Sequence, residues 1–203
     1  EWEKVADELE KCVELNPKSI VAINNLANAH LLLFEKTRTA SHVLRASSLC
    51  EQALNELPDD TDNATKSSLW DTLGHCYDYD TSIRDYDRAL TCFAQGLKFA
   101  GDNPLINAHI GATLIKQNKF AQALPYLETA RSLSPDLPDT YKFLGYVYSN
   151  LGQTQNAIDN LTTYLAMVPN AVDAPQERKQ LDALQARLRG SQADNKEPAA
   201  TQN

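Results

Sequence analysis

Long apolar runs and basic charge are both scarce in this sequence. Apolar stretches such as Leu31–Phe34 fall far short of the about 20 residues that a membrane-spanning helix needs. Lysine and arginine number 19 against 27 aspartates and glutamates, which gives a formal net charge of −8. Because nonspecific nucleic-acid binding depends on clustered cations that displace counterions, this balance argues against it. We therefore expect no membrane span and no nucleic-acid partner.

Cysteines are few, and none lies in a pattern that binds metal. The four, at positions 12, 50, 76 and 92, form no C-x-x-C pair and no zinc-type spacing with histidine. A disulfide framework is typical of small, cysteine-dense secreted chains, and this chain is neither small nor cysteine-dense. Reduced, largely buried thiols and a cytoplasmic location are the expectation.

Glycine is also scarce, and none of the seven lies in a phosphate-binding loop. The sequence contains no G-x-G-x-x-G, G-x-x-x-x-G-K, H-E-x-x-H or G-x-S-x-G motif. We expect a chain that is not an enzyme and that needs no cofactor and no metal. Its 42% apolar and 23% charged residues are nonetheless typical of a chain that builds a folded core.

A repeat of about 34 residues runs through the chain. Three pairs of residues share this spacing: Gly111 and Gly145, Ala123 and Ala157, and Pro135 and Pro169. Further upstream, Ala89 lies 34 residues before Ala123 and is followed by Phe93, and the group Trp70, Leu73, Gly74 and Tyr77 precedes them. This W-x-x-L-G-x-x-Y…A-x-x-x-F arrangement resembles the tetratricopeptide repeat family, and the resemblance covers about residues 1–170.

Each repeat carries apolar residues at three- and four-residue spacing, which predicts two amphipathic helices. Small residues such as Gly74 and Ala89 let the two helices approach closely. One helix pair cannot bury its apolar face alone, so such pairs stack on one another. The resemblance implies an all-α fold, a right-handed α-solenoid of antiparallel helix pairs, and we expect a C-terminal capping helix.

The repeat register sets the expected domain boundaries. Residues 1–17 are the second helix of a truncated repeat, 18–60 repeat 1, 61–103 repeat 2, 104–137 repeat 3, 138–170 repeat 4, 171–190 a capping helix and 191–203 a disordered tail. Because the array opens on a second helix without its partner, we expect the chain to be a fragment of a longer protein.

Several spacings depart from the repeat. Extra residues between His30 and Ala46 predict that both helices of repeat 1 are longer by about one turn. Repeat 2 has extra residues in Asp59–Lys66, expected to form an inserted acidic loop, and near Asp80–Arg84, expected to form a longer connection.

The expected capping helix starts after Asp173, a plausible N-cap, and ends at Gly190. Leu181, Leu184 and Leu188 form its apolar stripe. The charged residues Glu177, Arg178, Lys179 and Asp182 lie mostly off that stripe. Such a helix would cover the last apolar face of a repeat array.

The first helices of repeats in this family line a concave surface that usually holds a peptide. Helical phase, at about 100° per residue, places twelve side chains on that surface. They are Asn24, Asn28, Leu31, Asp71, His75, Asp78, Leu105, Ala108, Ala112, Ile115, Lys142 and Tyr146. The groove is amide-rich, then acidic, then apolar, and it ends with a lysine and a tyrosine. It predicts a protein or peptide partner with apolar anchors and basic residues.

One class of partner is disfavoured by these positions. Family members that serve heat-shock chaperones grip a C-terminal carboxylate with Lys and Asn, then Asn, then Lys and Arg. The corresponding positions here are Asn24 and Asn28, His75, then Ala108 and Ala112. If the comparison is moved by one repeat, the corresponding positions are Asp71 and His75, Ala112, then Lys142 and Tyr146. Neither set supplies the cations that pair with a carboxylate, so a carboxylate-clamp chaperone tail is not expected.

Asp71, His75 and Asp78 share one helix face, since their spacing is i, i+4 and i+7. Three interpretations stay open for them: a solvated polar face, a site that attracts a basic peptide, or a cation site that uses the imidazole. His30 replaces an aromatic residue of the repeat pattern and is expected in the core. His42 and His109 have no carboxylate or cysteine at a useful spacing.

Three functions fit the sequence, and none of them needs a catalytic site. The first is a non-catalytic interaction module that binds a peptide segment in the concave groove. The second is a scaffold or adaptor subunit that assembles a complex through its convex face or loops. Residues 55–87, with nine acids against two bases, would suit such contacts. The third is a regulatory domain of a larger enzyme.

Overall fold

The computed structural model describes residues 1–79 and 81–194 of the chain. Over these residues it contains ten α-helices and no strand. The helices are α1 (Trp2–Leu15), α2 (Ile20–Thr37), α3 (Ala40–Asn55), α4 (Asn63–Asp78), α5 (Tyr86–Ala100), α6 (Pro104–Lys116), α7 (Phe120–Leu133), α8 (Pro138–Asn150), α9 (Thr154–Met167) and α10 (Ala174–Asp194). None of these helices combines the length and the apolar character that crossing a bilayer would require.

Two compact units divide the chain inside α6. The first is Glu1–Ile106 and contains α1 to α5, and the second begins at Asn107 and contains α7 to α10. Within the first unit α2 packs on α3 and α4 on α5, and within the second α8 packs on α9. These are the pairs of first and second helices that the repeat register predicts.

Small residues lie where the two helices of a repeat meet. Gly74 on α4 faces the ring of Phe93 on α5, and Gly145 on α8 faces Leu161 on α9. A Cβ atom at position 145 would lie 2.6 Å from Leu161 Cγ. Ala89, on the opposite helix of repeat 2, is fully buried. Contacts this close leave no space for a larger side chain, which accounts for the small residues of the repeat pattern.

Repeat 1 is longer than the later repeats, but its two helices share the excess unequally. α2 has 18 residues against 13 in α8, whereas α3 has 16 against 14 in α9. The prediction of about one extra turn in each helix is right for α2 and too large for α3. α2 begins where Ser19 Oγ accepts a hydrogen bond from the Ala22 N–H, and it ends where Arg38 turns left-handed at φ 56°.

The predicted acidic loop of repeat 2 is only partly a loop. The Asp62 carboxylate accepts hydrogen bonds from the backbone N–H of Thr65 at 2.9 Å and from its hydroxyl at 2.7 Å. This N-cap starts α4 at Asn63, so residues 63–66 are its first turn and residues 57–62 are the connection. The predicted longer connection further on separates α4, which ends at Asp78, from α5, which begins at Tyr86.

The capping helix continues past the residue that was expected to end it. α10 runs from Ala174 to Asp194 and therefore contains Gly190. A glycine ends a helix when it takes up a left-handed conformation, and Gly190 is not among the glycines with positive φ. Residues 191–194 of the predicted tail are thus helical, and residues 195–203 lie outside the described part of the chain.

Three of the four cysteines are buried, all of them in the first unit. Cys50, Cys76 and Cys92 lie in the core, whereas Cys12 on α1 is exposed. Burial raises the pKa of the Cys50 thiol to about 12 and that of Cys92 to about 11. Largely buried thiols are what the sequence predicted.

His30, which the sequence placed in the core, is half-buried and pairs with a second histidine. Its Nδ1 lies 3.1 Å from Nδ1 of His42, and the two rings stack with centroids 5.3 Å apart. Its Nε2 is buried and has no hydrogen-bond partner among the described residues. Burial lowers the pKa of His30, His42 and Arg45 lower it further, and Glu10 opposes them.

This histidine pair predicts a loss of stability in mild acid. The unfolded chain takes up a proton at His30 below about pH 6.5, whereas the folded chain resists it until a lower pH. The contribution of His30 to stability is therefore fully present above about pH 6.5, and it is lost as the pH falls from there through the lower pKa of the folded chain. We expect the melting temperature to be lower at pH 5.5 than at pH 7.5, and this difference to shrink in His30→Phe. An unchanged difference in the variant would contradict the assignment.

Candidate functional site

Two asparagines of the predicted groove are used by the fold of the first unit. Asn24 is only 7% exposed. Its amide nitrogen donates to Ser68 Oγ at 2.8 Å, and its oxygen accepts from Thr72 Oγ1 at 3.1 Å. The Asn28 oxygen lies 3.2 Å from the same threonine hydroxyl. These bonds join α2 to α4. Both asparagine side chains therefore make hydrogen bonds within the protein, which leaves them fewer groups for a peptide.

The other predicted groove positions on α2, α4 and α6 differ in their access to solvent. Leu31, Asp78 and Ala108 are buried, Asp71, His75, Ala112 and Ile115 are half-buried, and Leu105 is exposed. The His75 ring meets the Phe93 ring edge-on, with 5.5 Å between centroids. Solvent therefore reaches the predicted apolar strip of α6 mainly at Leu105, Ala112 and Ile115.

Three predicted groove residues, Ile115, Lys142 and Tyr146, line one pocket of about 300 Å³ in the second unit. Phe143 completes the wall formed by α6 and α8. The opposite wall belongs to the capping helix and the residue before it: Asp173, Gln176, Glu177 and Gln180. Lys142 and Tyr146 share a face because they stand four residues apart on α8. We refer to this cavity as the C-terminal pocket.

A network of hydrogen bonds holds the pocket's lysine in place. Lys142 Nζ donates to Asp139 Oδ1 at 2.9 Å and to Asp173 Oδ2 at 2.8 Å. The Tyr164 hydroxyl donates to the other oxygen of Asp173 at 2.5 Å. The hydrogen bonds from Lys142 and Tyr164 lower the pKa of Asp173. Burial tends to lower the pKa of Lys142, but its two carboxylate partners outweigh burial and raise it.

Glu177 differs from the other charged groups of the pocket because its carboxylate has no hydrogen bond. The residue is 8% exposed, and no donor within residues 1–79 and 81–194 reaches its side-chain oxygens. Burial raises the pKa of Glu177, the neighbouring Asp173 adds to the rise, and Lys142 opposes it. The residue is largely buried, but its carboxylate oxygens are not among the fully enclosed atoms that lack a partner, so a cation in the pocket could reach and stabilise them.

Repeat 4, which contributes α8 to the pocket, matches a known family. Residues 138–170 match the family model described as tetratricopeptide repeat. This segment is a tetratricopeptide repeat. Proteins of this family are generally non-catalytic and serve protein interactions, and the predicted resemblance is confirmed.

Several solved structures share the fold of this chain. A thermophilic protein of Thermus thermophilus is 16% identical with a TM-score of 0.67, and the match covers 91% of each chain. BtubC from P. vanneervenii is 18% identical with a TM-score of 0.67, over 100% of this chain and 92% of its own. The first tetratricopeptide domain of Spaghetti (RPAP3), bound to the HSP90 peptide SRMEEVD, is 20% identical with a TM-score of 0.57, over 63% and 96%. The predicted all-α solenoid is confirmed.

A shorter segment is similar to a larger protein. The Cell division cycle protein 16 homologs of Homo sapiens and Mus musculus are 38% identical to this chain over 64 residues. The match covers 32% of this chain and about 10% of each homolog.

A second cavity lies among the helices of repeats 1 and 2, but its charged groups are already paired. It has a volume of about 420 Å³ and lies between α3, α4 and α5. The Tyr77 hydroxyl donates to Glu51 at 2.5 Å, and the Arg88 guanidinium lies 4.0 Å from the centre of the Tyr77 ring. Arg88 also lies 3.6 Å from Glu51. The C-terminal pocket, by contrast, contains an unpaired carboxylate.

Sequence reasoning missed the capping-helix side of the C-terminal pocket. Glu177 was grouped with the charged residues that lie mostly off the apolar stripe, whereas the structure buries it. The spacing contained the signal: Glu177 precedes Leu181 by four residues and Leu184 by seven, so all three share one helix face. Asp173 stands at the N-cap position, as expected, since its carbonyl accepts from the Glu177 N–H, but its carboxylate bonds Lys142 and Tyr164 and not the helix backbone.

Proposed function

We propose that this chain is a non-catalytic protein-interaction module that binds a peptide segment of a partner protein on the face lined by the first helices of its repeats. The observation that carries the proposal is the C-terminal pocket, in which Ile115, Lys142 and Tyr146 meet the capping helix. A concave site with apolar walls and a few convergent polar groups is typical of ligand recognition.

The apolar walls of this pocket remain open to solvent. Tyr146 is 43% exposed, and its ring is held edge-on by Phe120, with 5.9 Å between centroids. Ile115 and Phe143 are half-buried. Fixed aromatic side chains at a concave surface often account for much of the binding energy of an interface, because they bury a large area at a low entropic cost. Tyr146 is therefore the residue on which we expect peptide affinity to depend most.

A carboxylate-clamp mode of binding is not part of this proposal. Lys142 is the cation of the C-terminal pocket, and two carboxylates already bind it. Asp173 and Glu177 add negative charge to the lining. An acidic peptide, such as the HSP90 peptide SRMEEVD bound to the Spaghetti domain, would meet repulsion here.

Two tyrosines of similar exposure provide a matched test. Tyr146 (43% exposed) lies on the first helix α8, and Tyr126 (38% exposed) lies on the second helix α7. We would select binders from a random peptide library with the wild-type chain and measure their dissociation constants by fluorescence anisotropy. Tyr146→Ala should weaken binding about tenfold, because it removes a fixed aromatic anchor, whereas Tyr126→Ala should leave it within about twofold.

The reverse result would move the binding surface. If Tyr126→Ala weakened the selected peptides and Tyr146→Ala did not, partners would bind on the second-helix face, as the scaffold function requires. Circular dichroism of both variants controls for folding, since a loss of helix would explain a loss of affinity without any contact to the peptide.

A further inference from the structure

We propose that the C-terminal pocket binds the side chain of an arginine in the partner's peptide, with Glu177 as the carboxylate that receives its guanidinium. This inference rests on the proposed function and specifies the chemistry of the segment that the groove takes. It depends on the charge balance of the pocket, on the unpaired state of Glu177 and on the shape of the walls.

The charge balance of the pocket favours a cation. Lys142 is the positive group of its lining, and Asp173 and Glu177 are the negative ones. Asp139, bonded to the same lysine just outside the lining, adds a third carboxylate. Lys142 bonds to two of the three, at 2.8 and 2.9 Å, so its ammonium group is mostly occupied. One carboxylate is left over, and it is Glu177.

The unpaired state of Glu177 indicates a missing partner. Most buried polar groups have a hydrogen-bond partner, and a buried charge is usually paired. Glu177 is more than nine-tenths buried, and its side chain lines the pocket without a bond to any described residue. A cation that enters the pocket would supply the missing donors. A neutral side chain would leave the carboxylate without an ion pair, and an acidic side chain would add repulsion between like charges.

The walls of the pocket fit an arginine better than a bare ammonium ion. Ile115, Phe143 and Tyr146 form an apolar passage that suits the aliphatic stem of a long side chain. A planar guanidinium stacks on aromatic rings and donates two parallel hydrogen bonds to one carboxylate. The amide oxygens of Gln176 and Gln180 can accept its remaining N–H groups. A volume of about 300 Å³ suits a single side chain.

The direct test uses two small probes of the same shape. Acetyl-arginine amide carries the guanidinium, and acetyl-citrulline amide replaces it by a neutral urea. In ¹⁵N–¹H spectra of the whole chain, we expect the arginine probe to shift the amide signals of residues 142–146 and 176–180 in a saturable way. The citrulline probe should shift them much less. Equal shifts with both probes, or none with either, would overturn the inference.

Glu177→Gln tests the assigned carboxylate, and Asp182→Asn is its matched control. Both substitutions remove one negative charge from α10, but Asp182 is exposed. Glu177→Gln should weaken the arginine probe, and any arginine-containing peptide selected with the wild-type chain, by about tenfold to a hundredfold, because a hydrogen bond between two charges is lost. Asp182→Asn should change the affinity less than about twofold.

The stability of Glu177→Gln distinguishes loss of the site from loss of the fold. Because burial raises the pKa of Glu177, the ionised carboxylate subtracts stability once the pH exceeds that raised pKa. Glu177→Gln removes this cost, so its melting temperature at pH 7.5 should exceed that of the wild type. A variant that is more stable and binds arginine less tightly has lost a ligand and kept its fold. A destabilised variant would contradict the inference.

The outcomes of the peptide selection separate the inference from the proposed function. Peptides that depend on Tyr146 but contain no recurring arginine, and that bind Glu177→Gln as well as the wild type, would overturn the arginine assignment alone. Peptides whose binding is insensitive to Tyr146 would overturn the proposed function.

Discussion

Gly74→Ala is expected to lower the free energy of unfolding by about 2 kcal/mol, although alanine is the better helix former. A Cβ atom at this position would lie 2.6 Å from Cδ1 and 2.9 Å from Cζ of Phe93. The Phe93 ring is fully buried, so it has no open space into which to move. Overpacking of a core costs about 1 to 3 kcal/mol, and a rigid ring places this case near the upper end. The helix propensity of alanine returns at most about 1 kcal/mol.

Gly190→Ala is the matched control for this experiment. Gly190 also lies within a helix, but a Cβ atom there would have no neighbour within 4 Å among residues 1–79 and 81–194. The same substitution should therefore raise stability by up to about 1 kcal/mol. Urea denaturation followed by circular dichroism measures both effects. Adding Phe93→Leu to Gly74→Ala should recover part of the loss, because leucine is smaller and more adaptable. Shifts of the same sign at the two glycines would disprove the close-contact explanation.

Lys142→Met is expected to lower the free energy of unfolding by about 2 kcal/mol at pH 7. Methionine preserves the packing of the side-chain stem but leaves Asp139 and Asp173 without their bonded cation and removes the positive charge near Glu177. Breaking a buried ion pair from one side costs about 3 to 5 kcal/mol. The network here is only partly buried, with Lys142 at 22% and Asp173 at 36% side-chain exposure, so the expected cost is smaller.

The pH dependence of this loss identifies its cause. The pKa of Asp173 is lowered in the folded chain, so its contribution is present above about pH 4 and disappears as the pH falls through the folded pKa. The difference between wild type and Lys142→Met should therefore close in acid. Lys179→Met, on the exposed side of α10, should stay within about 0.5 kcal/mol of the wild type at every pH. Adding Glu177→Gln to Lys142→Met should restore part of the stability, because it removes one of the crowded carboxylates.

The repeat markers carried most of the fold information in the sequence. Gly74, Gly145 and Ala89 were predicted at helix contacts, and the structure places them there, because only small residues fit where two helices touch. The polar stretch after Pro58 was harder to interpret. An exposed helical turn and a loop have similar polar compositions. The N-cap residue Asp62 was the signal in the sequence that distinguishes the first turn of α4 from a loop.

Some residues of the candidate site were predictable from the sequence and others were not. Ile115, Lys142 and Tyr146 followed from helical phase within the repeats, because every repeat places its first helix alike. The pairing of Asn24 with Ser68 and Thr72 depends on how α2 meets α4, which no single repeat specifies. Glu177 and Asp173 lie beyond the last repeat, where the register no longer applies.

The distribution of cysteines makes the first unit separately observable. All four thiols belong to residues 1–106, and three of them are enclosed and held in the unreactive protonated form. A thiol-modifying reagent would label Cys12 at once and the other three only when the helices around them part. Labelling kinetics therefore time the opening of one half of the molecule with the natural sequence, and the other half, which has no thiol, contributes no background.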